Sequence, residues 1–190
     1  MGRRKLLQSN ELSAEEKTET LRMINDIRSQ GALGNIQFGS SLTTTMLSTR
    51  MESMIWDDGL MDTAVSKAAT CNLSINSDGD TLSTLYIQSS SRIPTVDPAN
   101  VSVGEIVFDA TDSASIMEAM STALDGWRSQ CLFLDYFSLG CDVSGSGTVQ
   151  SCNNCRILLA ETSRYIGCGF NDCPPGSMAV VCHTCMSIRV

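Results

Sequence analysis

The chain has 190 residues, 42% of them hydrophobic, and a formal net charge of -8 with a single histidine. That size suits one compact domain with a real core, and the acidic balance, with no basic run beyond Arg3-Arg4-Lys5, argues against a nucleic-acid surface, which works by neutralising phosphates. No apolar run approaches the roughly 20 residues a bilayer span requires, so a soluble chain is expected.

Residues 1–12 read as an N-terminal tail, a mature chain behind an added start: Met1-Gly-Arg-Arg-Lys leads into no apolar h-region, and Leu6 stands where a myristoylation signal wants Ser or Thr. Ser13 and Glu16 form a capping box, and Leu21, Ile24 and Ile27/Arg28 follow at helical spacing, predicting a first helix over 14–30 that Gly31 and Gly34 end. The Ser/Thr/Gly-rich stretch 37–49 and the methionines 46, 51 and 54 predict a loop and short helix covering the core. After Asp57-Asp58-Gly59, the spacing of Leu60, Ala64, Ala68 and Cys71 predicts a second helix with Cys71 on its buried face. Residues 76–103 read as a long irregular connection with a strand at Leu82–Ile87. Ser115 and Glu118 give a second capping box, and Ile116, Met120, Ala123 and Trp127 a third helical face. Beyond Cys131 come strand-like segments at Arg156–Glu161, Tyr165–Phe170 and Met178–His183, the last two joined by the turn Asn-Asp-Cys-Pro-Pro-Gly. Helices first and strands last predict an α+β layered domain with helices covering an antiparallel sheet.

All nine cysteines lie between Cys71 and Cys185. Such density is ordinary for a secreted protein and unusual in a reducing cytosol. The sequons Asn72-Leu-Ser and Asn100-Val-Ser are compatible with secretion. Cys152-x2-Cys155 and Cys182-x2-Cys185 have the spacing of a four-thiolate zinc ribbon, but Cys168 and Cys173 lie between them without a role in such a site. A redox Cys-x-x-Cys needs a helix behind its first cysteine, whereas Arg156-Ile-Leu-Leu-Ala looks like a strand. Catalysis is hard to assemble: His183 reads as a hydrogen-bonded structural residue, no Gly-x-Ser-x-Gly elbow occurs, and Asp57/Asp58 read as helix-capping acids.

The order of segments resembles the CAP superfamily, which includes cysteine-rich secretory proteins, insect antigen 5 and plant pathogenesis-related proteins. The residues that carry the likeness are Ile24-Asn-Asp-Ile-Arg, Met54-Ile-Trp-Asp-Asp-Gly-Leu, Ala64…Ala68-Ala69-Thr-Cys71-Asn-Leu, Gly104-Glu105-Ile, Trp127-Arg-Ser-Gln130, and Arg164-Tyr-Ile-Gly-Cys168-Gly-Phe-Asn-Asp-Cys173 followed by Val180-Val-Cys182. The resemblance implies a single domain over 13–190 with a three-layer α-β-α sandwich around a central antiparallel sheet. It also implies bridges Cys71–Cys173, Cys168–Cys182 and Cys141–Cys152; Cys155–Cys185 is the guess for a fourth, leaving Cys131 unpaired. The family's cavity often carries two histidines and two glutamates that can hold a divalent metal. Matched residue by residue, these positions fall at Ile75, Glu105, Gln130 and Asn154, so only Glu105 keeps a ligand and no metal or other cofactor is expected.

The Gly31–Met54 insertion is similar to the activation-associated or venom-allergen-like secreted proteins of parasitic nematodes, including adhesion-blocking hookworm members. That likeness implies a secreted, non-enzymatic host modulator directed at a cell-surface receptor such as a platelet integrin, for which the acidic loop Asn76–Asp80 is a candidate contact. The alternative is a lipid or sterol carrier with a groove at Tyr86, Ile87 and Ile93.

Overall fold

The computed structural model describes residues 12–38, 51–74, 102–134 and 152–186. The expected Leu82–Ile87 strand, the short helix before Met51, the loop Asn76–Asp80 and the groove residues Tyr86, Ile87 and Ile93 lie outside them.

Helix α1 spans Ala14–Ala32. Its capping box is complete: the Glu16 amide donates to Ser13 Oγ at 3.2 Å, and the Ser13 amide donates to the Glu16 carboxylate at 2.8 Å. Leu12, assigned above to the tail, is instead buried in the core. A two-residue strand β1, Ile55–Trp56, leads into α2, Asp58–Ala68, whose N-cap Asp57 accepts from the Leu60 amide at 3.0 Å. Then follow β2 (Ser102–Thr111), α3 (Ile116–Ser129), a 3-10 turn (Gln130–Phe133), α4 (Asn153–Leu158), β3 (Ser163–Cys173) and β4 (Ser177–Met186). At α3 the Ser115 hydroxyl caps the Glu118 amide, but the Glu118 carboxylate accepts from Ala114 N, so only half of the expected box forms.

The sheet runs β1-β3-β4-β2, antiparallel except where β1 lies parallel to β3. Successive side chains point to opposite faces. Ile166, Cys168 and Phe170 of β3 and Met178, Val180 and Cys182 of β4 join the main core with α1 and α3, whereas Ala179 and Val181 meet Ala64 and Ala68 of α2. The result is a three-layer α-β-α sandwich.

Three local expectations change. Arg156–Glu161 is not a strand: residues 153–158 form α4, with Asn154, Cys155, Ile157 and Leu158 all buried. A short apolar run that is buried nearly all round carries no periodicity to separate helix from strand. β2 was missed because it is covered on both faces, with Glu105 toward α2 and Ile106 and Ala110 toward the main core, which removes the alternating pattern. Cys71 is not on a buried helical face, since α2 ends at Ala68 and Cys71 is exposed at a left-handed φ of 52°.

The α2 layer lies directly on glycines. A Cβ at Gly167 would fall 2.1 Å from Met61 N, and one at Gly169 2.2 Å from Val65 N. Because these contacts are with helix backbone, no rotamer change relieves them. Gly167→Ala is therefore expected to destabilise the chain by about 1–3 kcal/mol or more, read as a lower urea midpoint, and an unchanged midpoint would contradict this packing.

Candidate functional site

The positions matched to the cavity tetrad separate across the sheet. Ile75 lies outside the described residues. Asn154, on α4, donates from Nδ2 to the Val107 carbonyl at 3.3 Å, and that same oxygen accepts from Trp127 Nε1 of α3 at 3.0 Å. Val107 belongs to β2, the outer strand of the sheet among the described residues, and its carbonyl receives side-chain donors from the helices. Gln130 follows one turn after Trp127. No hydrogen-bond partner reaches Gln130 Oε1 or Asn154 Oδ1 among the described residues, although both atoms are buried.

Glu105 is turned to the other side. Its register partner is His183 of β4, and His183 Nε2 lies 3.0 Å from Glu105 Oε2. On the same face, Lys67 Nζ of α2 approaches Glu105 Oε1 at 3.9 Å, and Thr63, one turn earlier, bonds His183 Nδ1 at 2.8 Å. His183 sits inside β4, which runs on to Met186 past the strand end expected at His183. Sequence reasoning missed Thr63 and Lys67; their i, i+4 spacing on α2 was the available signal, but only the sheet beneath them gives it meaning.

The order hydroxyl, imidazole, carboxylate matches that of a nucleophilic triad, although its imidazole and carboxylate lie buried between α2 and the sheet. An ionised Glu105 only accepts, so its bond takes a proton from His183 Nε2. The single Thr63 hydroxyl proton has two acceptors within reach, the Leu60 carbonyl at 2.9 Å and His183 Nδ1 at 2.8 Å. The cluster ties α2 to β2 and β4 at buried Glu105 and His183, both with side chains 1% exposed.

Zinc does not suit these residues. Two amides face the α3–α4 side with no imidazole beside them, and the one carboxylate is engaged by His183 and Lys67 across the sheet. Nor do the two Cys-x2-Cys pairs form a ribbon, because Cys152, Cys155 and Cys182 are held in disulfides. Cys71–Cys173 and Cys168–Cys182 are bonded, and Cys131 bonds Cys155 in place of the guessed Cys155–Cys185 pair. That correction follows from α4: once residues 153–158 are helical, Cys155 faces the 3-10 turn that carries Cys131, with Cα atoms 5.3 Å apart. Cys152 is also disulfide-bonded; its expected partner Cys141 lies outside the described residues, as does the Asn100 sequon.

Cys185 remains a buried thiol. Burial first, and the Asp57 carboxylate second, raise its pKa from the ordinary 9.0 to about 11. A thiol that holds its proton more tightly when folded contributes stability that is complete below about pH 9 and is lost as pH climbs towards 11. Thermal melts from pH 8 to 10.5 should show an alkaline decline that Cys185→Ala reduces; equal declines in both proteins would overturn this.

The family model described as CAP, the cysteine-rich secretory protein family, matches residues 21–184, and the chain belongs to that family. Among solved structures it is similar to NaASP2 crystallised with Zn2+, at 20% identity over 91% of this chain and 80% of that one, with a TM-score of 0.62. It is similar also to venom allergen-like protein 4 of Schistosoma mansoni (14% identity, 94% and 92% covered, TM-score 0.61) and to the hookworm platelet inhibitor (16%, 96% and 75%, TM-score 0.57). At these identities the likeness is one of fold. No curated protein matches the chain in sequence.

Proposed function

We propose that this chain is a secreted, non-enzymatic CAP protein of a parasitic nematode that modulates its host by blocking a platelet or leukocyte integrin, so inhibiting platelet aggregation and adhesion. The observation that carries the reading is a disulfide-braced sandwich kept around tetrad positions that hold amides at Gln130 and Asn154, with Glu105 bound to His183 on the opposite face. A rigid scaffold with amides at two of its tetrad positions is free to use surface loops for recognition. The similarity of fold to the hookworm platelet inhibitor supports the choice of platelets as the target.

The test adds purified chain to platelets and measures aggregation and adhesion to collagen and fibrinogen. Dose-dependent inhibition is expected; no effect at micromolar concentration overturns the integrin assignment. Saturable binding of labelled cholesterol or fatty acid by the same preparation would move the assignment to a lipid carrier.

A further inference from the structure

We infer that Asn72 is an N-glycosylation site, carrying an oligosaccharide on its side-chain amide beside the Cys71–Cys173 bridge. The inference rests on the secreted reading above, since the glycosyl donor is supplied only along the secretory route. Asn72-Leu73-Ser74 satisfies the acceptor pattern, and the fold presents it in a usable form. Asn72 and Ser74 are both exposed just past the end of α2. Asn72 Oδ1 accepts from the Ser74 amide at 3.1 Å and from the Ser74 hydroxyl at 2.6 Å. The hydroxyl that defines the sequon is thus held on the acceptor amide, and both bonds end on Oδ1, so Nδ2 is engaged by no partner among the described residues.

The chain order helps as well. Cys71 closes with Cys173, 102 residues further on, so no bridge restrains the sequon while it is being translated. In the folded chain Asn72 is exposed, so a sugar there displaces no packed side chain among the described residues. In the transfer, Asn72 Nδ2 attacks C1 of the reducing sugar of a lipid-pyrophosphate-linked oligosaccharide. The C1–O bond breaks as the C1–N bond forms, the lipid pyrophosphate leaves with the electron pair, and the amide proton passes to a base of the transferase.

The full chain, expressed behind a heterologous secretion leader in a eukaryotic cell, tests this by peptide mapping before and after peptide N-glycosidase. Conversion of Asn72 to aspartate by the glycosidase is expected. The heterogeneous mass at this peptide should vanish in Asn72→Gln and Ser74→Ala and persist in Ser74→Thr, which keeps the hydroxyl. Secreted protein whose Asn72 peptide is unmodified overturns the site. Because the leader imposes secretion, that result leaves the secretory reading untouched. The latter fails separately, if the protein isolated from its natural source has reduced cysteines at the bridged positions.

Discussion

Arg28→Leu should lower the unfolding free energy by about 3–5 kcal/mol, because it strips buried carbonyls of a charged donor. Arg28 is 2% exposed on the inner side of α1. Its guanidinium donates from Nη1 to the carbonyls of Leu158 at 2.6 Å and Ala160 at 3.1 Å, from Nη2 to Glu52 at 2.9 Å and Ser163 at 3.2 Å, and from Nε again to Glu52 at 3.3 Å. One side chain therefore satisfies the end of α4, the start of β3 and the segment entering β1. Burial draws its pKa down to about 10, which still leaves a cation at neutral pH. No carboxylate forms an ion pair with it among the described residues, so four backbone dipoles replace the lost hydration. Leucine fills part of the volume but leaves four carbonyls without their donor, each a cost of about 1–3 kcal/mol before water enters or the segments relax. Arg28→Lys should fall between, because an ammonium lacks the planar fork that reaches several carbonyls at once. Urea unfolding of the three proteins checks the order, and a loss below about 1 kcal/mol for leucine would show the clamp to be dispensable.

Cys71→Ser/Cys173→Ser is expected to cost about 4–5 kcal/mol, because the bridge spans 102 residues and a loop of that size restricts the unfolded chain by roughly this amount. The nested Cys131–Cys155 bridge, separation 24, shortens the open path by less than a quarter. Since loop entropy grows only as the logarithm of length, that lowers the figure by about 0.2 kcal/mol. The native side makes the bridge matter locally too. Beneath α2 the buried apolar cluster is of small side chains, Ala64, Ala68, Ala179 and Val181 with Cys173, and only Leu73 and Val107 pack at its margin among the described residues, so the sulfur link is a large part of what holds the C-terminal end of α2. Guanidinium unfolding reads the global loss. Hydrogen exchange should show the amides of the last turn of α2 losing protection before those of α1; uniform loss would mean that the bridge acts on the unfolded state alone.

The capping boxes and the 3.6-residue spacing made α1, α2 and α3 legible in the sequence, because exposed amphipathic helices advertise their buried face. The hairpin of β3 and β4 was legible for a similar reason: strand-forming residues flank a turn that contains two prolines and a glycine. The family followed from the order of short motifs, and with it came the expectation that Gln130 and Asn154 stand at ligand positions as amides. These are properties of local chemistry and chain order, which the amino-acid sequence determines by itself. The tertiary structure decided what depends on meeting from a distance. It turned Glu105 away from the tetrad side and onto His183, because strand register selects the face of a side chain and one residue of shift reverses it. It joined Cys155 to Cys131, because disulfide choice depends on where Cβ atoms converge, and that depended on α4 being a helix. It also made Arg28 a clamp, since its acceptors are backbone carbonyls up to 135 positions away and a carbonyl leaves no mark in sequence.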